Sequence, residues 1–208
     1  MNLPNKLTVS RFVMTAVFLW AVMSRSPLND TLALVLFGLA SLTDLLDGHI
    51  ARKRGLITTF GILMDPLADK ILTCSAFIAL VERNMLNLPP ELFHVGTYVA
   101  RPKVEAWMVV IVVARELAIT GMRLVAASRH VVLAAERHGK HKTISQIVAI
   151  LALLVLDAYK EWWSWLQVPF QPWLPWFAWA ALWVTVILTS MSGVIYLWRN
   201  RALYLEDV

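Results

Sequence analysis

The sequence predicts an all-α protein, polytopic in a membrane with six transmembrane helices, and three observations predict it. The chain is 59% hydrophobic and 16% charged, with a mean hydropathy of +0.63, far from the make-up of a water-soluble domain. Its apolar residues fall in six runs, at 7–23, 32–51, 63–81, 104–127, 144–163 and 174–198, each close to the roughly 20 residues a spanning helix needs. Spans and short connections then use up the 208 residues, so 1–208 reads as a single membrane domain.

The first run lacks a small-x-small cleavage site before Arg25, so it reads as a retained span and not as a signal peptide. The second and third are joined by a short basic turn from Arg52 to Thr59. The third and fourth are separated by the long connection 82–103, which leaves room for an interfacial helix at 92–99. The fifth and sixth meet at Trp162, Trp163, Trp165, Trp173, Trp176 and Trp179, interleaved with Pro169, Pro172 and Pro175. A quinone or sugar site is the sharper reading of so many indoles, but an aromatic belt at the membrane boundary explains them more simply.

An even number of spans puts both termini on one side. Assigning that side to the cytosol gives it Lys6, Arg11, Arg52, Lys53, Arg54, Arg123, Arg129, Arg137, Lys140, Lys142, Arg199 and Arg201. The other side receives Arg25, Arg83, Arg101, Lys103 and Lys160, a bias of twelve to five that favours this orientation in an inner, or cell, membrane. Cys74 is the only cysteine, so neither a disulfide framework nor a cysteine zinc site is available. The net charge of +5 orients spans and attracts phosphate groups, and nucleic acid is not an expected partner.

Hydropathy does not explain Asp44, Asp47, Asp65 and Asp69, which lie within or at the edge of the second and third runs. A carboxylate at the centre of a span costs about 2.5 to 3.5 kcal/mol on insertion scales, so four are seldom kept without use. On a helix Asp44 and Asp47 are about 60° apart, with Gly48 and Ala51 within about 40° of Asp44. Gly61, Asp65 and Asp69 follow at i, i+4 and i+8 and form a second stripe. Across the turn the two stripes face one another. Four oxygen donors between small residues suit Mg²⁺ or Mn²⁺, with room for two ions. A helix cap or a salt bridge to Arg52, Lys53 or Lys70 would explain any one aspartate taken singly. A divalent-cation transporter or proton pathway also uses intramembrane carboxylates, but it spreads them along the membrane depth, whereas these cluster toward one face.

Residues 44–69 read DLLDGHIARKRGLITTFGILMDPLAD, or D-x2-D-G-x2-A-R-x8-G-x3-D-x3-D. This resembles, at all eight fixed positions, the signature of the CDP-alcohol phosphotransferase family. The resemblance implies six helices with the active site at the cytosolic face. It also implies that Asp44, Asp47 and Asp65 ligate the metals, and that Asp69 ligates one and is the catalytic base on the acceptor alcohol. Asp47, Gly48, Ala51, Arg52 and Gly61 would line the CDP-lipid pocket, with Thr58 at the nucleotide. A snorkelling arginine is the plainer reading of Arg52.

NLPNKLTVSR at residues 2–11, ARELAITGMR at 114–123 and GKHKTISQ at 139–146 are similar to the branch of that family that makes phosphatidylglycerophosphate. The likeness implies that Asn5 and Thr8 sit near the CDP end of the donor, and that Arg115, Arg123, Lys140 and Lys142 bind the acceptor phosphate. A guanidinium inside an apolar run needs an anion, either Glu116 or a substrate phosphate, which makes Arg115 the informative residue. Lys140 and Lys142 read as exposed, and plain positive-inside topology competes with a site role for both. The implied activity is transfer of phosphatidyl from CDP-diacylglycerol to glycerol 3-phosphate with release of CMP. Phosphatidylglycerol (giving cardiolipin) and inositol phosphate are the alternative acceptors. The bilayer and a second copy of the chain, as a homodimer, are the expected partners.

Overall fold

The computed structural model describes residues 3–24, 26, 28–54, 59–86, 103–128, 138–170 and 172–201. Within the helices, the side chains at 3–5, 7, 45–54, 59–63, 65, 66, 84–86, 127, 128 and 138–141 lie outside the described set. The described residues form six long helices: α1 (Leu3–Met23), α2 (Asn29–Arg54), α3 (Thr59–Leu86), α4 (Ala106–Ser128), α5 (His138–Ala158) and α7 (Leu174–Arg199). A 3₁₀ turn (Tyr159–Glu161) and the four-residue α6 (Ser164–Gln167) link α5 to α7. The all-helical expectation holds, and each of the six apolar runs lies largely within one long helix. The fifth differs most: α5 begins at His138, and where the apolar pattern runs on to Trp163 the helix stops at Ala158. Composition carries the apolar run past the helix because Trp162 and Trp163 are apolar but sit beyond the 3₁₀ turn. By length and composition alone, two described helices can cross a membrane, Lys142–Glu161 and Leu174–Arg199. The interfacial segment expected at 92–99 lies outside the described residues.

α1 packs along both α2 and α3, which touch each other less, while α5 packs on α2 and α7, and α4 lies against α7 and α3. The stretches of α2 and α3 that carry most of the two expected stripes, 45–54 and 59–66, have side chains largely outside the described set. Phe18 of α1 and Phe37 of α2 meet with ring centroids 5.6 Å apart, and Leu72, Phe77, Leu80, Ile150, Leu154 and Leu182 complete an apolar middle. The outer faces are apolar as well: Val13, Trp20, Val110, Leu117, Leu124, Ile187, Met191 and Val194 are all exposed. An apolar exterior is the reverse of what water selects over so large an area.

The stripe of buried and half-buried residues on every long helix changes character along its length. On α1 it runs Thr8, Arg11, Thr15 and then Phe18, Ala21, Val22. On α5 it runs Lys142, Gln146 and then Ala149, Ile150, Leu153, and on α3 Asp69 and Lys70 precede Leu72, Ala76 and Leu80. The even-placed helices reverse the order. α2 passes from Ala33, Phe37 and Ala40 to Ser41 and Asp44, α4 from Met108 and Val112 to Glu116, and α7 from Ala178 and Leu182 to Thr185 and Thr189. The helices alternate in direction, so these opposite gradients place the polar stretches named here at one end of the bundle.

Candidate active site

At that end, Arg11 of α1 is fully buried and its Nη1 lies 2.7 Å from Oδ1 of Asp44 on α2. Asp69 of α3 is within electrostatic reach of Asp44, Arg11, Lys142 and Lys70. Both carboxylates offer oxygen donors, the kind hard cations take, and Asp44 is also paired with Arg11. Asp44 and Asp69 are the two members of the aspartate set whose side chains are described, and no group of three metal-binding side chains is completed among the described residues. The side chains of Asn5, Asp47, Gly48, Ala51, Arg52, Gly61, Asp65 and Lys140 lie outside the described set, as does residue Thr58 altogether. Their backbones, except that of Thr58, lie on α1, α2, α3 and α5. Thr8, named from the N-terminal resemblance, is buried one turn before Arg11.

Beside the aspartates lies a cationic cluster built from four helices. Lys70, next to Asp69, turns toward α4, where its ammonium donates to Thr120. On α4, Glu116 is 7% exposed and its Oε1 accepts from three donors: the Lys142 ammonium, Gln146 Nε2 at 3.4 Å and Arg115 Nη1 at 3.4 Å. The other arm of Arg115 reaches α7, with Nη2 donating to Ser192 Oγ at 2.9 Å. Arg123, two turns along α4, is exposed, stands 6.0 Å over the ring of Tyr196 and acts electrostatically on Lys70. Lys142 in turn is within reach of Arg115, Asp69 and Lys70. Arg115 and Lys142 therefore meet at Glu116, while Arg123 stands at the edge.

Two expectations need correction. Lys142 is 5% exposed and joined to Glu116, not a solvated topological lysine, because its stem enters between α4 and α5 and needs a counter-charge there. Arg11 is likewise not a boundary cation but a buried partner of Asp44. The residues that sequence reasoning passed over as site members are Arg11, Lys70, Glu116, Gln146, Ser192, Gly193 and Tyr196. Signals for several were present: Arg11 and Glu116 are charges inside apolar runs, and Thr185, Thr189, Ser192, Gly193 and Tyr196 recur at helical spacing on α7.

This arrangement can hold an anionic group between cations while a carboxylate lies at hand for its hydroxyl. The profile of one family, described as CDP-alcohol phosphatidyltransferase, matches residues 1–191. A CDP-diacylglycerol–glycerol-3-phosphate 3-phosphatidyltransferase of Bacillus subtilis is 36% identical over 211 residues, covering 96% of this chain and 95% of that protein. One of the same description from Rickettsia bellii is 34% identical over 149 residues, 72% of each chain. A probable phosphatidylglycerophosphate synthase of Mycobacterium tuberculosis is 38% identical over 152 residues, 72% of this chain and 64% of that one. With a profile match over nearly its whole length and a similar protein matched end to end, the chain belongs to the CDP-alcohol phosphatidyltransferase family.

Proposed function

We propose that the protein is a membrane-embedded transferase that moves the phosphatidyl group of CDP-diacylglycerol to glycerol 3-phosphate. The observation that carries this reading is the adjacency of two unlike clusters, the acids Asp44 and Asp69 and the cations Lys70, Arg115 and Lys142. The names of the relatives support the same reaction. The apolar exterior and six long helices support six spans in a bilayer, with the polar end and both termini cytosolic. A homodimer in the inner membrane follows by family analogy.

Each group has a distinct task. Arg115 and Lys142 grip the acceptor phosphate, where charge-assisted bonds are strongest, and Arg123 stands where it can guide the anion inward. Asp69 takes the acceptor hydroxyl proton as its oxygen bonds to the lipid-side phosphorus and the bond from that phosphorus to CMP breaks. Asn5, Thr8, Asp47, Gly48, Ala51, Arg52, Thr58 and Gly61 form the donor pocket in this reading. Asp44, Asp47, Asp65 and Asp69 would hold Mg²⁺ or Mn²⁺ as two ions, which supply charge neutralisation to the diphosphate. A cation transporter fits poorly, since Asp44 and Asp69 lie toward one end of the bundle and the middle beyond them is apolar, with no carboxylate path along the depth among the described residues.

Purified protein given CDP-diacylglycerol should release CMP with glycerol 3-phosphate, and not with inositol phosphate or phosphatidylglycerol. CMP release driven only by either of the latter would reassign the acceptor. Orientation is tested separately: in a Cys74→Ala background, Asn87→Cys should react with an impermeant thiol reagent in intact cells and Lys53→Cys should not.

A further inference from the structure

Arg115 leaves α4 in the direction of α7 and lies along that helix. A Cβ placed on Gly193 would stand 2.9 Å from Cγ of Arg115 and 3.7 Å from its Cβ. The nearer atom is in the stem of the side chain, not its flexible tip, so it cannot move aside without changing the first torsions or parting α4 from α7. Gly193 is otherwise costly, because glycine inside a helix is about 1 kcal/mol less favourable than alanine. The residue before it supplies the second half of the arrangement: Ser192 Oγ accepts from Nη2 of Arg115 at 2.9 Å, while Glu116 Oε1 takes Nη1 at 3.4 Å. The guanidinium is thus fixed on the α7 side by a hydroxyl and on the α4 side by a carboxylate, and the stem runs through the gap left by the missing Cβ.

We propose that Gly193 and Ser192 are positioning residues that aim Arg115 at the acceptor phosphate, so that α7 sets acceptor affinity without touching the acceptor. This rests on the reading of Arg115 given under the proposed function. α7 then acts on the water-soluble substrate alone, since its two residues work through a cation and not through the aspartates on α2 and α3.

The test is steady-state CMP release by the purified full-length chain, with each substrate varied in turn. Gly193→Ala should raise KM for glycerol 3-phosphate roughly tenfold, the equivalent of one charge-assisted bond, with kcat and the KM for CDP-diacylglycerol within about twofold of wild type. In an Arg115→Ala background the same change should add nothing, because its target is gone. An unchanged acceptor KM, an equal rise in both KM values, or a full additional loss in the Arg115→Ala background would each overturn the proposal. Should Gly193→Ala melt below wild type, Ser192→Ala takes its place: it crowds nothing and should raise the acceptor KM about threefold, and an unchanged value overturns the proposal. Wild-type protein that turns over normally while these variants do not differ from it sinks the α7 proposal alone. Wild-type protein that releases no CMP with glycerol 3-phosphate sinks the functional reading on which it stands.

Discussion

The two ends of the helix bundle both carry ionised side chains, and they use them differently. At one end Arg83 on α3 pairs with Asp30 on α2, lies 3.6 Å from Asp157 on α5 and donates to the carbonyl of Val22 on α1 at 3.3 Å. Glu161, in the 3₁₀ turn, accepts from the backbone N–H groups of Asp30 and Thr31 at 3.1 and 2.9 Å and from the Thr31 hydroxyl at 2.7 Å. The indole of Trp162 donates to that same hydroxyl at 3.1 Å. Every one of these groups answers another, or satisfies the first turn of α2, whose N–H groups have no partner within the helix. At the other end pairs form as well, Arg11 with Asp44 and Lys142 with Glu116, but among the described side chains the cations Arg11, Lys70, Arg115, Arg123 and Lys142 outnumber the acids Asp44, Asp69 and Glu116. A surplus of cations is expensive to keep in an apolar bundle and suits this end to an external anion. The first end is a clasp; the second is a site.

Breaking the site end should be felt first in chemistry. Asp44→Asn, Asp47→Asn and Asp65→Asn should each abolish transfer while membrane insertion survives, because an amide ligates a hard cation poorly. EDTA should stop the wild-type reaction and Mg²⁺ or Mn²⁺ restore it; full activity in chelator contradicts the metal assignment. Next in size, Arg115→Ala and Arg123→Ala should raise KM for glycerol 3-phosphate by about ten- to a hundredfold while that for CDP-diacylglycerol changes little. The buried Lys142 belongs with Arg115 in this series, and Lys140→Ala should have the smaller effect of a steering charge. At the clasp end the effects should be on stability alone. Arg83→Met strips Asp30 and Asp157 of their cation and should lower the melting temperature by roughly 5 °C with both KM values unchanged. Glu161→Gln, which weakens one helix cap, should cost only about 1 kcal/mol.

Much of this contrast was legible in the sequence, for a physical reason. A membrane makes charge costly, so Asp44, Asp47, Asp65 and Asp69 stand out against apolar runs, and helical spacing alone puts them in two stripes. The six helices follow from the same hydropathy. Partners across helices did not follow. Arg11 counts as one of twelve positive-inside residues until its burial against Asp44 is seen, and Lys142 looks solvated until Glu116 is found beside it. Composition also misplaced the end of the fifth helix, since a tryptophan-rich turn is as apolar as a span. Gly193 carries no chemistry of its own, and only the path of Arg115 gives it a meaning.

The central claim is that one end of the bundle performs chemistry and the other holds the helices together. It is tested most directly by measuring turnover and thermal melting on the same preparations of Asp69→Asn and Arg83→Met. Asp69→Asn should lose about 10² to 10⁴ in kcat, as removal of a general base does, with acceptor binding and melting temperature near wild type. Arg83→Met should melt early and, while folded, turn over normally. Undiminished turnover in Asp69→Asn, or a loss of kcat in folded Arg83→Met as large as that in Asp69→Asn, would contradict the account.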